Sequence, residues 1–281
     1  MPGPNLISPD RLLKLIGLPQ APVLIDVRPP DEVSALPLRI PASVPRVVGD
    51  LESWAPAFAG RGLVVVGTRG GTRAAGCAAL LREAGQSAEL LEGGIVAWQE
   101  AGQPLVAEAA LPARDAGGRT NWVTRSRPKV DRIACPWLIR RFVDPFARIL
   151  FVAPSEVPGV AADLAAAPFD IEGEGMTWSH SGPLCTFDTM VQGFGLSGFA
   201  GLAQLAPIVR GADTGHPELA PESAGLLAAS LGLSRMFADD HEQLEAGILL
   251  YDSFYRWCRD ARDETHDWAS HTPSGRRGRQ L

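Results

Sequence analysis

From Ser8 to about Pro104 the apolar positions change their period at short intervals. The stretch SPDRLLKLIG opens with a serine and sets leucines at helical spacing, which predicts a capped helix. APVLIDVR and LVVVGT are apolar runs of strand length, and SAELLEGG is a shorter one closed by a glycine turn. TRAAGCAALLREAG reads as an alanine- and leucine-rich helix ended by Gly85, and GIVAWQEAG as a short final helix. Strands that alternate with helices predict an α/β fold with a largely parallel sheet covered on both faces.

Residues 106–120 lose this period and gather Ala, Pro and Gly, the composition of a linker. Beyond it, DRIACPWLIRRF, PELAPESAGLLAASLG and HEQLEAGILLYDSFYRWCRDARDE carry helical periodicity, whereas FARILFVAP and CTFDTM read as strands. The expected organisation is an α/β domain over 1–105, a linker over 106–120, and a mostly helical α+β domain over 121–268. Residues 269–281 are polar and basic and are expected to be disordered.

Composition adds exclusions. The 281 residues are 46% hydrophobic and 21% charged, enough for two cores. No apolar run approaches the roughly 20 residues of a membrane span, and the N-terminal stretch lacks the pattern of a secretory signal. The four cysteines, Cys77, Cys135, Cys185 and Cys258, form no CxxC pair, which suits reduced thiols and a cytoplasmic location. A net charge of -6 argues against nucleic acid as a partner of the whole surface.

The stretch VVVGTRGGTRAAG, Val64 to Gly76, has the form of a strand, a glycine turn and a helix. Backbone N–H groups and a helix N-terminus there suit a small oxyanion, with Thr68, Arg69, Gly70, Gly71, Thr72 and Arg73 as the expected contacts. This loop, with VLIDVRPPDEV before it and LLEGGIVAWQEAGQPL after it, resembles the rhodanese (sulfurtransferase) family. The resemblance implies a rhodanese fold and adds Asp26 and Arg28 to the loop's surroundings. Active members carry Cys-x-x-Gly-x-Arg here. Gly71 and Arg73 align with that motif, so Thr68 stands at the cysteine position. A hydroxyl cannot carry a persulfide, and Cys77 lies about two and a half turns into the next helix. The domain is therefore expected to be inactive in sulfur transfer, and to act as an anion receptor or as a docking module for a protein partner.

The stretch NWVTRSRPKVDRIACPWLIRRFVDPFARILFVAP, with PFDIEGEG, SHSGPLCTFDTM, IVRGADT and GLSRMFADDHEQLEAGILLYDSFYRWCRD, resembles the C-terminal domain of the chromate-resistance family called ChrB. That resemblance implies a role in the response to chromate. Regulators of the family carry a different N-terminal region, so the rhodanese-like start counts against a transcriptional role.

Two constellations suggest ligands in this half. Arg125, Arg127, Lys129, Arg132, Arg140 and Arg141 form a basic stretch broken by one acid, Asp131, and suit an oxyanion or a solvated helix face. His180, Cys185, Asp213, His241 and Glu245 are candidate ligands of a divalent metal, the cofactor's identity being left open. His241, Glu245 and Asp252 share one helical face, and Cys185 is also a candidate redox thiol. The reading is a cytoplasmic chromate-response protein that binds an oxyanion or metal. A metal-dependent or redox enzyme and a transcriptional regulator are the alternatives.

Overall fold

The computed structural model describes residues 5–173 and 176–264, so the tail at 269–281 lies outside the described residues. The first half holds, in chain order, β1 (Leu6–Ile7), α1 (Pro9–Leu13), β2 (Val23–Asp26), α2 (Pro30–Ala35), β3 (Leu38–Arg39), β4 (Ser43–Pro45), α3 (Leu51–Trp54), β5 (Leu63–Val66), α4 (Gly71–Glu83), β6 (Ala88–Leu91), α5 (Gly94–Glu100) and β7 (Val106–Ala107). Five strands form one parallel sheet in the order β1-β6-β5-β2-β4. β2 and β5 are buried at every position, the expected result of continuous apolar runs in the middle of a covered parallel sheet. Ser8 caps α1 by accepting from the Arg11 N–H, and Pro9 occupies the first helical position.

The second half holds β8 (Asn121–Arg125), α6 (Asp131–Leu138), β9 (Arg148–Val152), α7 (Val157–Asp163), β10 (Ala167–Pro168), α8 (Thr186–Gly193), α9 (Ala200–Asp213), α10 (Ser223–Met236) and α11 (Asp240–Asp260). The strands make a second, small parallel sheet in the order β10-β8-β9. CTFDTM is not a strand. Cys185 precedes the first turn of α8, and Asp188 reaches back to accept from the Cys185 N–H at 3.1 Å. An acid three residues into a helix favours a capped helical start, and this outweighs the strand preference of a short Thr- and Phe-containing run.

Pro136 lies inside α6, which begins at Asp131. The chain then widens into a π turn, Ile139–Val143, closed by the Asp144 N–H on the Ile139 carbonyl at 2.8 Å. That turn buries Phe142 against Phe199, Tyr255 and Trp137, with ring centroids 5.0, 5.5 and 5.8 Å away.

Phe142 also joins the halves. A Cβ on Gly17 would stand 2.3 Å from Phe142 Cζ, and the Ala42 N–H donates to the Phe142 carbonyl at 2.8 Å. One apolar core runs from Ile7, Leu12 and Ile16 through Phe142 to Trp137 and Tyr255. The segment 106–120 is bonded to both sides: β7 pairs antiparallel with β3, and Arg114 reaches buried Asp144 at 3.1 Å. No helix among the described residues is long and apolar enough to cross a membrane.

Truncating Phe142 leaves a cavity in this shared core. Phe142→Ala is expected to cost about 3–5 kcal/mol, read as a lower urea midpoint by tryptophan fluorescence. A loss under about 1 kcal/mol would show that the ring does not hold the halves together.

Candidate functional site

The rhodanese-type loop lies where β5 ends and α4 begins, beside a cavity of about 400 Å³. Gly70 and Gly71 both take positive φ to make the turn, 82° and 77°. The start of α5 packs on the loop so closely that a Cβ on Gly94 would lie 2.2 Å from the Gly67 carbonyl oxygen. Ile95 and Val96 N–H groups donate to the Gly67 and Thr68 carbonyls at 2.9 and 3.0 Å. Arg69 and Arg73 are exposed, and Thr68 is half-buried.

Two of the expected anion contacts have another use. Arg28 is a buried internal strut: its Nε and NH2 bind Asp26 at 3.0 and 2.8 Å, and its remaining donors bind the Leu36 and Leu38 carbonyls. Asp26 and Arg28 thereby neutralise each other. The sequence reading also missed Glu32, the downstream acid of VLIDVRPPDEV. Its carboxylate accepts from the Thr68 hydroxyl and lines the same cavity. Cys77 points into the core with no exposure, and burial pushes its thiol up to about 11.

The second site sits at the C-terminal edge of the small parallel sheet, the usual ligand edge of parallel strands. Arg125 ends β8, Asp170 follows β10, Asp131 opens α6, and Asp213 ends α9. His180 approaches from the loop before α8. Its Nε2 stands 3.2 Å from Asp213 Oδ2, 3.5 Å from Asp170 Oδ1 and 3.6 Å from Asp131 Oδ2. Candidate ligand atoms of Asp131, Asp170 and His180 all lie within 4.8 Å of one another.

Asp131 has no solvent exposure. Its Oδ2 accepts from the Thr186 and Phe187 N–H groups at 2.6 and 3.3 Å, at the N-terminus of α8, while its Oδ1 is buried without a hydrogen-bond partner. Burial, followed by the charges of Asp213 and Asp170, pushes its carboxyl well above the ordinary range. Asp213 is also raised, by burial and then by Asp170. Asp170 is aimed by its neighbours: Thr186 Oγ1 donates to Oδ1 at 3.0 Å, and Arg125 NH2 and Arg132 Nε meet Oδ2, both at 3.2 Å. Asp170 sits at φ 50°, and Val130, just before Asp131, at φ 29° and ψ -93°. A β-branched residue in that conformation costs of order 1–3 kcal/mol. It is held by Tyr251 Oη, which donates to the Val130 carbonyl at 3.0 Å.

His180 and Asp213 thus meet as candidate ligands, and Asp131 and Asp170 join them. His241 and Glu245 do not. His241 lies edge-on to Phe151, and Glu245 pairs with Arg140 at 2.6 Å. Asp252 binds Trp137 Nε1 at 2.8 Å and Arg141 NH2 at 2.7 Å. The shared face on α11 is real, but the arginines following α6 lie across it. Cys185 is buried beside the cluster and donates to Asp188 Oδ2 at 3.3 Å, and burial pushes its thiol far up, the opposite of what a reactive thiolate needs. The basic stretch is largely committed internally. Arg127 holds the Phe237 and Ala238 carbonyls after α10, and Arg125, Arg132, Arg140 and Arg141 all face carboxylates.

Comparison with known proteins follows the same division. Residues 8–101 match the rhodanese-like domain family, and residues 122–258 match the family described as ChrB, C-terminal domain. The two matches fall on separate halves of the chain, the rhodanese-like one first and the ChrB C-terminal one second. Protein ChrB of Cupriavidus metallidurans is 34% identical over 157 residues, covering 55% of this chain and 46% of that protein. The chain therefore matches about half the length of this curated relative. Among solved structures, a rhodanese-related protein from Thermoplasma volcanium is 25% identical, covering 37% of this chain and 98% of that one, with a TM-score of 0.32. A rhodanese-like domain protein from Staphylococcus aureus is 26% identical over 34% of this chain and 91% of that one, with a TM-score of 0.30. The Asp131–Asp170–His180–Asp213 cluster lies wholly within the ChrB-type domain.

The raised carboxyls of this domain give a pH dependence of definite sign. A folded-state pKa above the unfolded value of about 3.9 means that the folded protein holds the extra proton. This stabilisation is full below that value and is lost as pH rises through the folded pKa. Asp131→Asn keeps an oxygen for Thr186 and Phe187 and cannot ionise. In metal-free protein it is expected to gain stability on the parent as pH rises from about 4 towards 8. Urea midpoints in chelator measure this, and a constant difference across that range would contradict it.

Proposed function

We propose that this is a chromate-resistance-related protein whose ChrB-type domain binds one divalent cation through Asp131, Asp170, His180 and Asp213, and whose rhodanese-like domain does not transfer sulfur. Asp131 carries the reading. A carboxylate without solvent, with one oxygen unpartnered and two further acids beside it, is costly unless a proton or a cation balances it. Two ligands bonded about 2.1 Å from one ion at right angles lie about 3 Å apart, close to the 3.2–3.6 Å between His180 Nε2 and the three carboxylate oxygens. Three carboxylates and one imidazole, with no accessible thiolate, suit Mn²⁺ or Fe²⁺ better than a soft ion. Arg125, Arg132 and Thr186 are the outer partners that would keep Asp170 oriented.

The test is Mn²⁺ titration of the chelator-treated full-length protein, followed by loss of the free-ion EPR signal. Binding of one ion per chain is expected, and Asp131→Asn and Asp213→Asn are each expected to weaken it at least tenfold. Equal affinity in Asp213→Asn would remove this centre from consideration, since that residue is only partly buried and its loss spares the fold.

In the rhodanese-like domain Thr68 offers no persulfide carrier, and Cys77 is buried. Thiosulfate:cyanide turnover at background is expected. Thr68→Cys is expected to create weak activity, and adding Glu32→Gln to increase it, because the neighbouring carboxylate opposes a thiolate. Parent turnover that survives Cys77→Ser would overturn the assignment.

A further inference from the structure

Each carboxylate of the cluster has one oxygen already engaged by a donor of the protein. Asp170 turns Oδ1 to His180 Nε2 at 3.5 Å, while its Oδ2 meets Arg125 NH2 and Arg132 Nε, both at 3.2 Å. Arg132 is itself anchored, its NH1 donating to the Ser126 carbonyl at 3.0 Å. Asp213 turns Oδ2 to His180 at 3.2 Å, and its Oδ1 receives the Asp131 N–H at 3.4 Å. On Asp131, Oδ2 carries the Thr186 and Phe187 N–H groups, and only the buried Oδ1 is bare.

These bonds limit how each acid can meet an ion. A carboxylate chelates through both oxygens only when both are free to turn to the metal. Here chelation breaks a bond at every acid, and at Asp170 it displaces two guanidinium groups. The cluster therefore offers single oxygens and one imidazole nitrogen. Ca²⁺ takes about six to eight oxygens, commonly with a bidentate carboxylate among them. Mn²⁺ and Fe²⁺ accept imidazole and make do with fewer protein donors. Lys129 and Glu172 also line the cavity beside the cluster, both exposed, and their charges act alike on every divalent ion.

We propose that Arg125 and Arg132 are specificity-determining residues of the cation centre: by holding Asp170 to one inward oxygen, they select Mn²⁺ or Fe²⁺ against Ca²⁺. This rests on the cation reading above and adds which ions the centre refuses. The arginines need not touch the ion. They act through the number of oxygens that Asp170 can give it.

The test is a ratio of affinities on metal-free, full-length protein at fixed ionic strength. Mn²⁺ is titrated by EPR, and Ca²⁺ by its displacement of bound Mn²⁺. The parent is expected to prefer Mn²⁺ by about a hundredfold. Arg125→Met and Arg132→Met are each expected to narrow that preference at least about fivefold, because the freed Asp170 can chelate Ca²⁺. The Arg125 side chain is 39% exposed, so its loss spares the fold even if Arg132→Met does not. Lys129→Met is the control for charge: it removes the same charge from the same cavity and leaves Asp170 held. It is expected to strengthen both ions alike and keep the ratio. Ca²⁺ competing on equal terms in the parent would overturn the proposal. So would a ratio unmoved in Arg125→Met, or one that Lys129→Met narrows as much. A parent that binds no Mn²⁺ would remove the cation reading and this inference with it, whereas binding without selectivity would remove this inference alone.

Discussion

An ionisable side chain without water must be answered by the protein around it, and the ChrB-type domain is arranged around one such residue. Asp131 ties the start of α6 to the start of α8 through the Thr186 and Phe187 N–H groups. Those bonds set the position of the loop that delivers His180. The Asp131 N–H leans at 3.4 Å towards Asp213 at the end of α9, so three helices converge on a single carboxyl group. The strained backbone at Val130 and Asp170 is the local cost of that convergence. Such strain persists only where surrounding contacts enforce it, here the Tyr251 and Thr186 hydroxyls.

The same logic separates this acid from the others buried nearby. Asp144 is also without solvent, but it is satisfied by Thr120, Arg114 and the Phe146 N–H. Asp252 is satisfied by Trp137 and Arg141. Both brace the fold and leave no buried oxygen unpartnered. Asp131 differs in what remains unanswered, not in burial.

The first domain was legible in the sequence because its strands are continuous apolar runs and its turns are marked by glycine. VLID, LVVV and AELL became β2, β5 and β6, and Thr68 at the cysteine position was legible through the resemblance to the rhodanese motif. The ligand cluster was only half legible. Asp131, Asp170, His180 and Asp213 come from separate segments of the chain, and two parallel strands and three helices bring them together. Asp131 stood out only as the one acid in a basic stretch, and Asp170 sat in a motif with no obvious chemistry. Helical periodicity correctly placed His241, Glu245 and Asp252 on one face of α11. It carries no information about what lies across that face, and the arginines there decided the matter. CTFDTM misled because one capping acid outweighs the strand preference of a six-residue run.

Gly17 and Phe142 stand in different domains, yet the ring fills the space that a side chain on the glycine would need. Neither position is free to vary alone. A chimera that sets this rhodanese-like half beside a ChrB-type half from elsewhere inherits a socket without its plug, or a plug without its socket. The two halves have to be inherited, and exchanged, as a matched pair.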